Sequence, residues 1–108
     1  MNLLQFIELL EQGTSAEEIA ARHTPHSDAE ELEAYMENKA SLTSELAFFD
    51  FEQVPPTVYI TVDGKQYEAF FSVSELAGLI TEHAIFLGTT ANPLTIAESI
   101  LHYHEYDA

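Results

Sequence analysis

Two runs of alternating apolar and polar residues meet at Asp63-Gly64 and form the clearest pattern in the chain. An Asp-Gly pair between such runs is typical of a two-residue type I′ turn, because both central residues need a positive φ. The pattern predicts a β-hairpin over residues 57–71, with Val62 opposite Lys65. An isolated hairpin is marginal in water, so we expect it to pack on helices or to gain a third strand near residues 84–87. One face of the hairpin is apolar and carries Val58, Ile60, Val62, Tyr67 and Ala69.

The chain on either side of the hairpin has the three-to-four-residue apolar spacing of amphipathic helices, with a capping signal at each start. Residues 2–12 form the first predicted helix. Further helices are predicted after Ser15, after Ser72 and from Pro93, which occupies the first helical position behind an asparagine cap.

The longest predicted helix runs from about residue 28 to residue 49, after a capping box headed by Ser27. Its apolar side chains fall on one face, namely Leu32, Tyr35, Met36, Leu42 and Leu46. Its opposite face is acidic and carries Glu30, Glu33, Glu37 and Glu45. Pro55-Pro56 then breaks any helix and leads an extended chain into the hairpin.

These elements predict an α+β fold, a predominantly helical single domain of about five helices packed around one β-hairpin. The helical parts cover residues 1–50 and 73–108, on either side of the hairpin. With 108 residues and 46% hydrophobic content, the chain suits one compact domain and is too short for two self-sufficient ones.

Nineteen acidic residues against three basic ones give the chain a formal net charge of −16, beyond the magnitude of roughly 2–8 that is usual for a small domain. Affinity for phosphate comes from Lys and Arg, so this composition argues against direct nucleic-acid binding. The natural complement is a basic protein partner.

The predicted contact surface is the set of helix-borne carboxylates. Such carboxylates lie about 6 Å apart at four-residue intervals, a density comparable with that of phosphates along a nucleic-acid strand. In charge and size the chain is therefore similar to small phage-type inhibitors and DNA mimics, which occupy the binding surface of a basic protein. The expected contact residues are Glu17, Glu18, Glu30, Glu33, Glu37 and Glu45.

Residues 13–21 resemble the opening helix of a helix-turn-helix, with a glycine, small polar residues, an acidic pair and Ile19-Ala20. That family places a second, basic helix in the major groove of DNA. Here the second helix would fall on residues 28–33, which carry four carboxylates that DNA would repel. The resemblance therefore implies a helical scaffold without a DNA-reading role.

Residues with catalytic or metal-binding potential are few. The chain has no cysteine, which excludes thiolate chemistry and agrees with a reducing cytoplasm. Glu98, His102 and His104 are close in sequence, but no H-E-x-x-H frame surrounds them and a helix dipole favours a C-terminal histidine. The glycines stand singly and no serine has the context of a nucleophile elbow. We therefore expect a cytoplasmic, non-enzymatic protein with no cofactor, no metal and no membrane contact.

Two other interpretations stay open. The first is a small helical adaptor, immunity-like or assembly module that pairs with itself or another chain through an apolar patch, either Phe48, Phe49 and Phe51 or an open hairpin edge. The second is an acidic surface that only keeps the protein in solution. Sedimentation at low and high salt tests the first, because an apolar dimer persists or tightens in salt whereas a mimic stays monomeric.

Overall fold

The computed structural model describes residues 1–23 and 32–106, which form four α-helices and a four-stranded antiparallel sheet. The helices are α1 (Leu3–Glu11), α2 (Ala16–His23), α3 (Val73–Leu87) and α4 (Pro93–Tyr106). The strands are β1 (Leu32–Glu37), β2 (Leu46–Asp50), β3 (Tyr59–Val62) and β4 (Lys65–Ser72). Two single 3₁₀ turns, Phe51–Gln53 and Gly88–Thr90, follow β2 and α3. The predicted α+β class is confirmed, although the part of the chain that the structure describes holds fewer helices and more strands than expected.

The central hairpin is confirmed with its predicted register. Val62 lies opposite Lys65 and Tyr59 opposite Glu68, and the turn residues Asp63 and Gly64 have φ of 52° and 81°. The third strand that completes the hairpin is β1, which pairs with β4, and not residues 84–87. Those residues belong to the last turn of α3 instead.

Helix starts were predicted well because capping is a local interaction between a side chain and nearby backbone. The Asn2 side chain accepts the Gln5 N–H at 3.0 Å, and the Gln5 side chain returns a bond to the Asn2 backbone. The other predicted caps are also confirmed, with backbone N–H donors accepted by Ser15 (3.1 Å), Ser72 (3.1 Å) and Asn92 (3.0 Å).

The predicted helix over residues 28–49 is wrong from Leu32 onward, because this stretch forms β1, a connecting loop and β2. Along β1 the residues Leu32, Ala34 and Met36 are buried in the core. They alternate with Glu33, Tyr35 and Glu37, which lie on the opposite face of the sheet. That period of two is the pattern of a strand. Cross-strand pairing on both sides of β1 outweighs the helical preference of its Leu, Ala, Met and Glu residues. The capping box at Ser27 lies outside the described residues.

The sheet has the strand order β2-β1-β4-β3, so β2 and β3 are its edges. All four helices pack on one face, where Leu32, Met36, Phe48 and Phe70 join the apolar side chains of the helices in a single core. Fully buried helix residues include Phe6, Ile19, Leu76 and Ile100.

Residues 51–58 connect the two edge strands and therefore cross the width of the sheet. They pass over the face opposite the helices, since Val54, Pro55 and Pro56 line a cleft together with Tyr35 of β1 and Ala69 of β4. We call residues 51–58 the crossover. It leaves the sheet covered on both faces over β1.

None of the helices in the described ranges is both long enough and apolar enough to cross a membrane.

Candidate functional site

The structure describes five of the six carboxylates that the sequence predicts as one contact set. Glu17 and Glu18 lie exposed on α2, and Glu33 lies at the start of β1. Glu37 ends β1 and Glu45 directly precedes β2, and these two are neighbours because the Glu45 carbonyl oxygen accepts the Glu37 N–H at 2.9 Å. Glu30 falls outside the described residues. The expected acidic helix face is wrong from Glu33 onward, because Glu33 and Glu37 lie on a strand and Glu45 lies in the loop before β2.

Three of these carboxylates have a cationic neighbour. Glu18 lies 3.4 Å from Arg22 in the next turn of α2, and the Glu37 carboxylate lies 3.9 Å from Lys65 Nζ across the sheet. Glu45 pairs with the amino group of Met1. Glu33 has no ion pair with any residue in the described ranges, and its neighbour is another acid.

Glu33 and Glu75 are brought together by the pairing of β1 with β4. Glu33 lies opposite Ser72, the last residue of β4 and the N-cap of α3, and Glu75 lies in the first turn of that helix. Partial burial raises the pKa of the Glu33 carboxyl, and the negative charge of Glu75 raises it further. The fold therefore holds two negative charges close together at the protein surface.

More acid lies at the same end of the sheet. Asp50, the last residue of β2, is the cross-strand partner of Leu32, the residue before Glu33. Its carboxylate accepts the Glu52 N–H at 2.9 Å and so fixes the turn that starts the crossover. We call Glu33, Asp50, Glu52 and Glu75 the acidic end. Both lysines lie toward the other end, Lys39 two residues beyond β1 and Lys65 at the start of β4.

A cleft of about 350 Å³ opens beside Glu33, between the sheet and the crossover. Glu33, Tyr35 and Ala69 form its floor, and Phe51, Val54 and Pro55 are among the crossover residues that form its wall. Tyr35 is only 4% exposed, whereas Phe51 is 50% exposed. The cleft is therefore mostly apolar, with one carboxylate beside it.

Aromatic rings support the floor of this cleft. Tyr35 meets Phe49 edge-on with ring centroids 5.5 Å apart, and Phe49 meets Tyr67 in the same way at 5.3 Å. Burial raises the pKa of the Tyr35 phenol, and the charge of Glu33 raises it further. The phenol therefore stays neutral and presents an aromatic surface next to a carboxylate.

A carboxylate beside aromatic and proline side chains is an arrangement that recognises cations. A Lys or Arg side chain gains Coulomb attraction from the acid, and its charged head and its aliphatic stem both pack well on aromatic rings. An anionic group would be repelled by the carboxylates, and a neutral group would gain no Coulomb attraction. The geometry thus favours a basic side chain as the occupant of the cleft.

Nucleophilic chemistry finds less support. Nδ1 of His83 lies 2.6 Å from Oγ of Ser99, but Ser99 sits inside α4, where neighbouring backbone N–H groups are used by the helix and cannot serve as an oxyanion hole. We interpret this pair as a contact that joins α3 to α4. Within residues 1–23 and 32–106, no group of three His, Asp or Glu residues is placed to hold a metal ion.

The sequence predicts Glu33 as a contact residue but does not predict the acidic residues that lie around it. Glu75, Asp50 and Glu52 are not among the contact residues that the sequence predicts. Their common position depends on the pairing of β1 with β2 and β4, which no local pattern encodes. The available signal was the spacing of Leu32, Ala34 and Met36 at every second position, with Glu33 and Glu37 between and after them.

Comparison with protein-family models, with curated proteins and with solved structures finds no match to the chain. Support for a function therefore comes from the geometry and charge of the site.

Proposed function

We propose that the protein is a non-enzymatic binding protein that docks a basic protein partner on the acidic end, with one Lys or Arg side chain of the partner in the cleft beside Glu33. The observation that carries this proposal is the carboxylate pair of Glu33 and Glu75, in which partial burial and then the charge of Glu75 raise the pKa of Glu33. No described cation neutralises the pair. A cation supplied by a partner would offset the repulsion between the two carboxylates. The relief of repulsion would therefore contribute to the free energy of binding.

The net charge of the whole molecule also supports binding to a basic partner. A formal net charge of −16 attracts basic surfaces over distances of about a Debye length and speeds the encounter with them. A partner whose basic surface normally holds nucleic acid would lose access to it when this protein is bound. We therefore propose an inhibitory or regulatory role, as in a DNA mimic, with the acidic end in place of the helix face first expected.

The proposal is tested with a fluorescent octalysine peptide as the probe and fluorescence anisotropy as the readout. Glu33→Gln should weaken binding about fivefold to tenfold, the loss expected for one well-placed charge contact. Glu98→Gln, which removes the same charge from an exposed position on α4, is the matched control and should change affinity less than twofold.

Salt provides the second arm of this experiment. Affinity for octalysine should fall steeply between about 50 and 500 mM NaCl, because screening removes the attraction between exposed charges. Equal effects of Glu33→Gln and Glu98→Gln would show diffuse attraction without a site. A flat salt response would rule out charge-based docking altogether.

A second candidate function, an assembly module, is favoured by one observation on α3. Ile85 and Phe86 are 76% and 85% exposed at the end of this helix, which is unusual for large apolar side chains. Of the aromatic patch first expected, Phe51 is 50% exposed, whereas Phe48 is 4% exposed in the core and Phe49 packs between two tyrosines. If the protein pairs through α3, sedimentation at high salt should show a dimer that Phe86→Ser converts to a monomer.

A further inference from the structure

A second cavity, of about 530 Å³, lies away from the acidic end, between the β3–β4 hairpin and α4. Tyr59 and Glu68 line it from the hairpin, and Leu101 and His104 line it from the helix. Its volume falls in the range of roughly 300–1,000 Å³ that is typical of small-molecule sites. The function proposed above makes no use of this cavity.

Glu68 is the most buried carboxylate that the described ranges contain, with 9% of the residue exposed. Its Oε1 accepts the Ala40 N–H at 2.9 Å. Its Oε2 lies 3.9 Å from Nδ1 of His104, which is too far for a hydrogen bond. No described residue donates a hydrogen bond to Oε2, and solvent reaches this atom, so it can accept a hydrogen bond from a ligand in the cavity.

His104 presents a second acceptor beside that oxygen. Its Nε2 lies 3.0 Å from the Ala69 carbonyl oxygen, which can only accept, so Nε2 carries a proton; in the tautomer protonated at Nε2, Nδ1 has a free lone pair. The ring is held by Phe70 and Phe71, with centroids at 4.9 and 5.4 Å. Two acceptors therefore face the same space from fixed positions.

We propose that this cavity binds a small primary ammonium compound with an apolar body. An ammonium group has three N–H donors, enough to bond both Oε2 of Glu68 and Nδ1 of His104. The apolar side chains of Val58 and Leu101 and the ring of Tyr59 form walls for the hydrocarbon part. Glu105 adds a second negative charge to the lining.

The other possible occupants fit this lining less well. A quaternary ammonium group has no N–H to satisfy either acceptor, and a metal ion would need more ligands than Glu68 and His104 provide. A carboxylate or phosphate ligand would be repelled by Glu68 and Glu105. Lys39 is the one positive side chain in the lining, and it lowers the affinity for a cation.

The test uses benzylammonium as the probe, with benzyl alcohol and benzyltrimethylammonium as controls, and follows the ¹⁵N resonance of His104 Nδ1 in the wild-type protein. Benzylammonium should shift this resonance and bind about tenfold more tightly than either control. Equal binding of all three compounds would show that the cavity binds their apolar part and does not recognise the ammonium group. An unchanged Nδ1 resonance would show that the ligand binds elsewhere. Either result overturns the proposal.

Variants test the same site from opposite directions. Glu68→Gln keeps an acceptor for the Ala40 N–H but loses the charge, and should weaken benzylammonium binding about tenfold. Lys39→Met removes the like charge and should strengthen it about threefold. Val58→Trp, at a position that is 60% exposed, should fill the cavity mouth and abolish binding without disturbing the core. Unchanged affinity in Lys39→Met and Val58→Trp contradicts the site even if Glu68→Gln fails to fold.

Discussion

At the scale of single residues, the Glu33 carboxylate destabilises the free protein at neutral pH and is also the proposed contact for a basic partner. Its carboxyl is partly buried and faces the charge of Glu75, and both effects raise its pKa. A raised pKa means that the folded state holds the proton more tightly than the unfolded state. The stability that Glu33 contributes is therefore present at low pH and is lost as the pH rises through its folded-state pKa.

Replacing this carboxylate should stabilise the free protein. Glu33→Gln is expected to raise the free energy of unfolding at neutral pH by roughly 0.5 kcal/mol, the size of a half-exposed charge pair. The gain should vanish below the ordinary pKa of a glutamate, where the wild-type carboxyl is protonated in both states. Urea unfolding of both proteins across this pH range measures the difference, and a gain that grows as the pH falls would contradict the assignment.

The Tyr35 phenol gives an independent readout of the same charge. Burial and then Glu33 raise its pKa, so Glu33→Gln should move that pKa part of the way back toward its ordinary value. Alkaline titration followed at the Tyr35 ring by NMR detects the change. Glu98→Gln, on another surface, should leave the Tyr35 titration where it is in the wild-type protein.

At the scale of elements, two glycines should respond in opposite ways to the same substitution. Gly64 has φ of +81° in the hairpin turn, whereas Gly78 lies inside α3 without a positive φ and a Cβ built on it meets nothing within 4 Å. Gly64→Ala should cost about 1 kcal/mol because alanine resists the left-handed region. Gly78→Ala should gain up to about 1 kcal/mol because alanine favours a helix. Urea midpoints at constant m-value provide the measurement, and a shift of the same sign in both would refute this explanation.

Elements whose signals are local could be predicted from the sequence. The Asp63-Gly64 turn and the caps at Asn2, Ser15 and Ser72 each depend on residues within a few positions of one another. The helix predicted over residues 28–49 rested on a capping box and on apolar residues that fall on one helical face, and it is wrong from Leu32 onward. The strand conformation of β1 depends on partners in β2 and β4, the latter about thirty residues away along the chain. Cross-strand pairing is a property of the assembled sheet and decides such cases.

At the scale of the whole molecule, the net charge of −16 should make stability depend on salt. Self-repulsion weakens the compact state, and screening relieves it. Raising NaCl from about 20 to about 300 mM should increase Tm by roughly 5 °C, which corresponds to about 1 kcal/mol for a domain of this size. NaCl is preferred to sulfate because sulfate also stabilises proteins by surface exclusion. A Tm that stays constant or falls would show that the charges are already compensated.

The arrangement of the candidate site could be predicted least. Charge and composition gave the expectation of a basic partner, but the acidic end depends on which strands are neighbours, and the cleft depends on the path of the crossover. Glu75 and Phe51 meet the first strand only because the chain folds back from distant positions. Periodicity predicts which face of its own helix or strand a residue lies on. Which other element packs against that face depends on the tertiary fold.

The crossover also divides the molecule into two pieces of similar make-up. The first piece runs helix, helix, strand, strand to Asp50, and the second runs strand, strand, helix, helix from Tyr59. They meet where β1 pairs with β4, so each piece offers the other one open strand edge and an apolar helix pair. A chain severed between them would yield complementary fragments, and their reassembly in trans would make this small fold a natural split reporter for proximity.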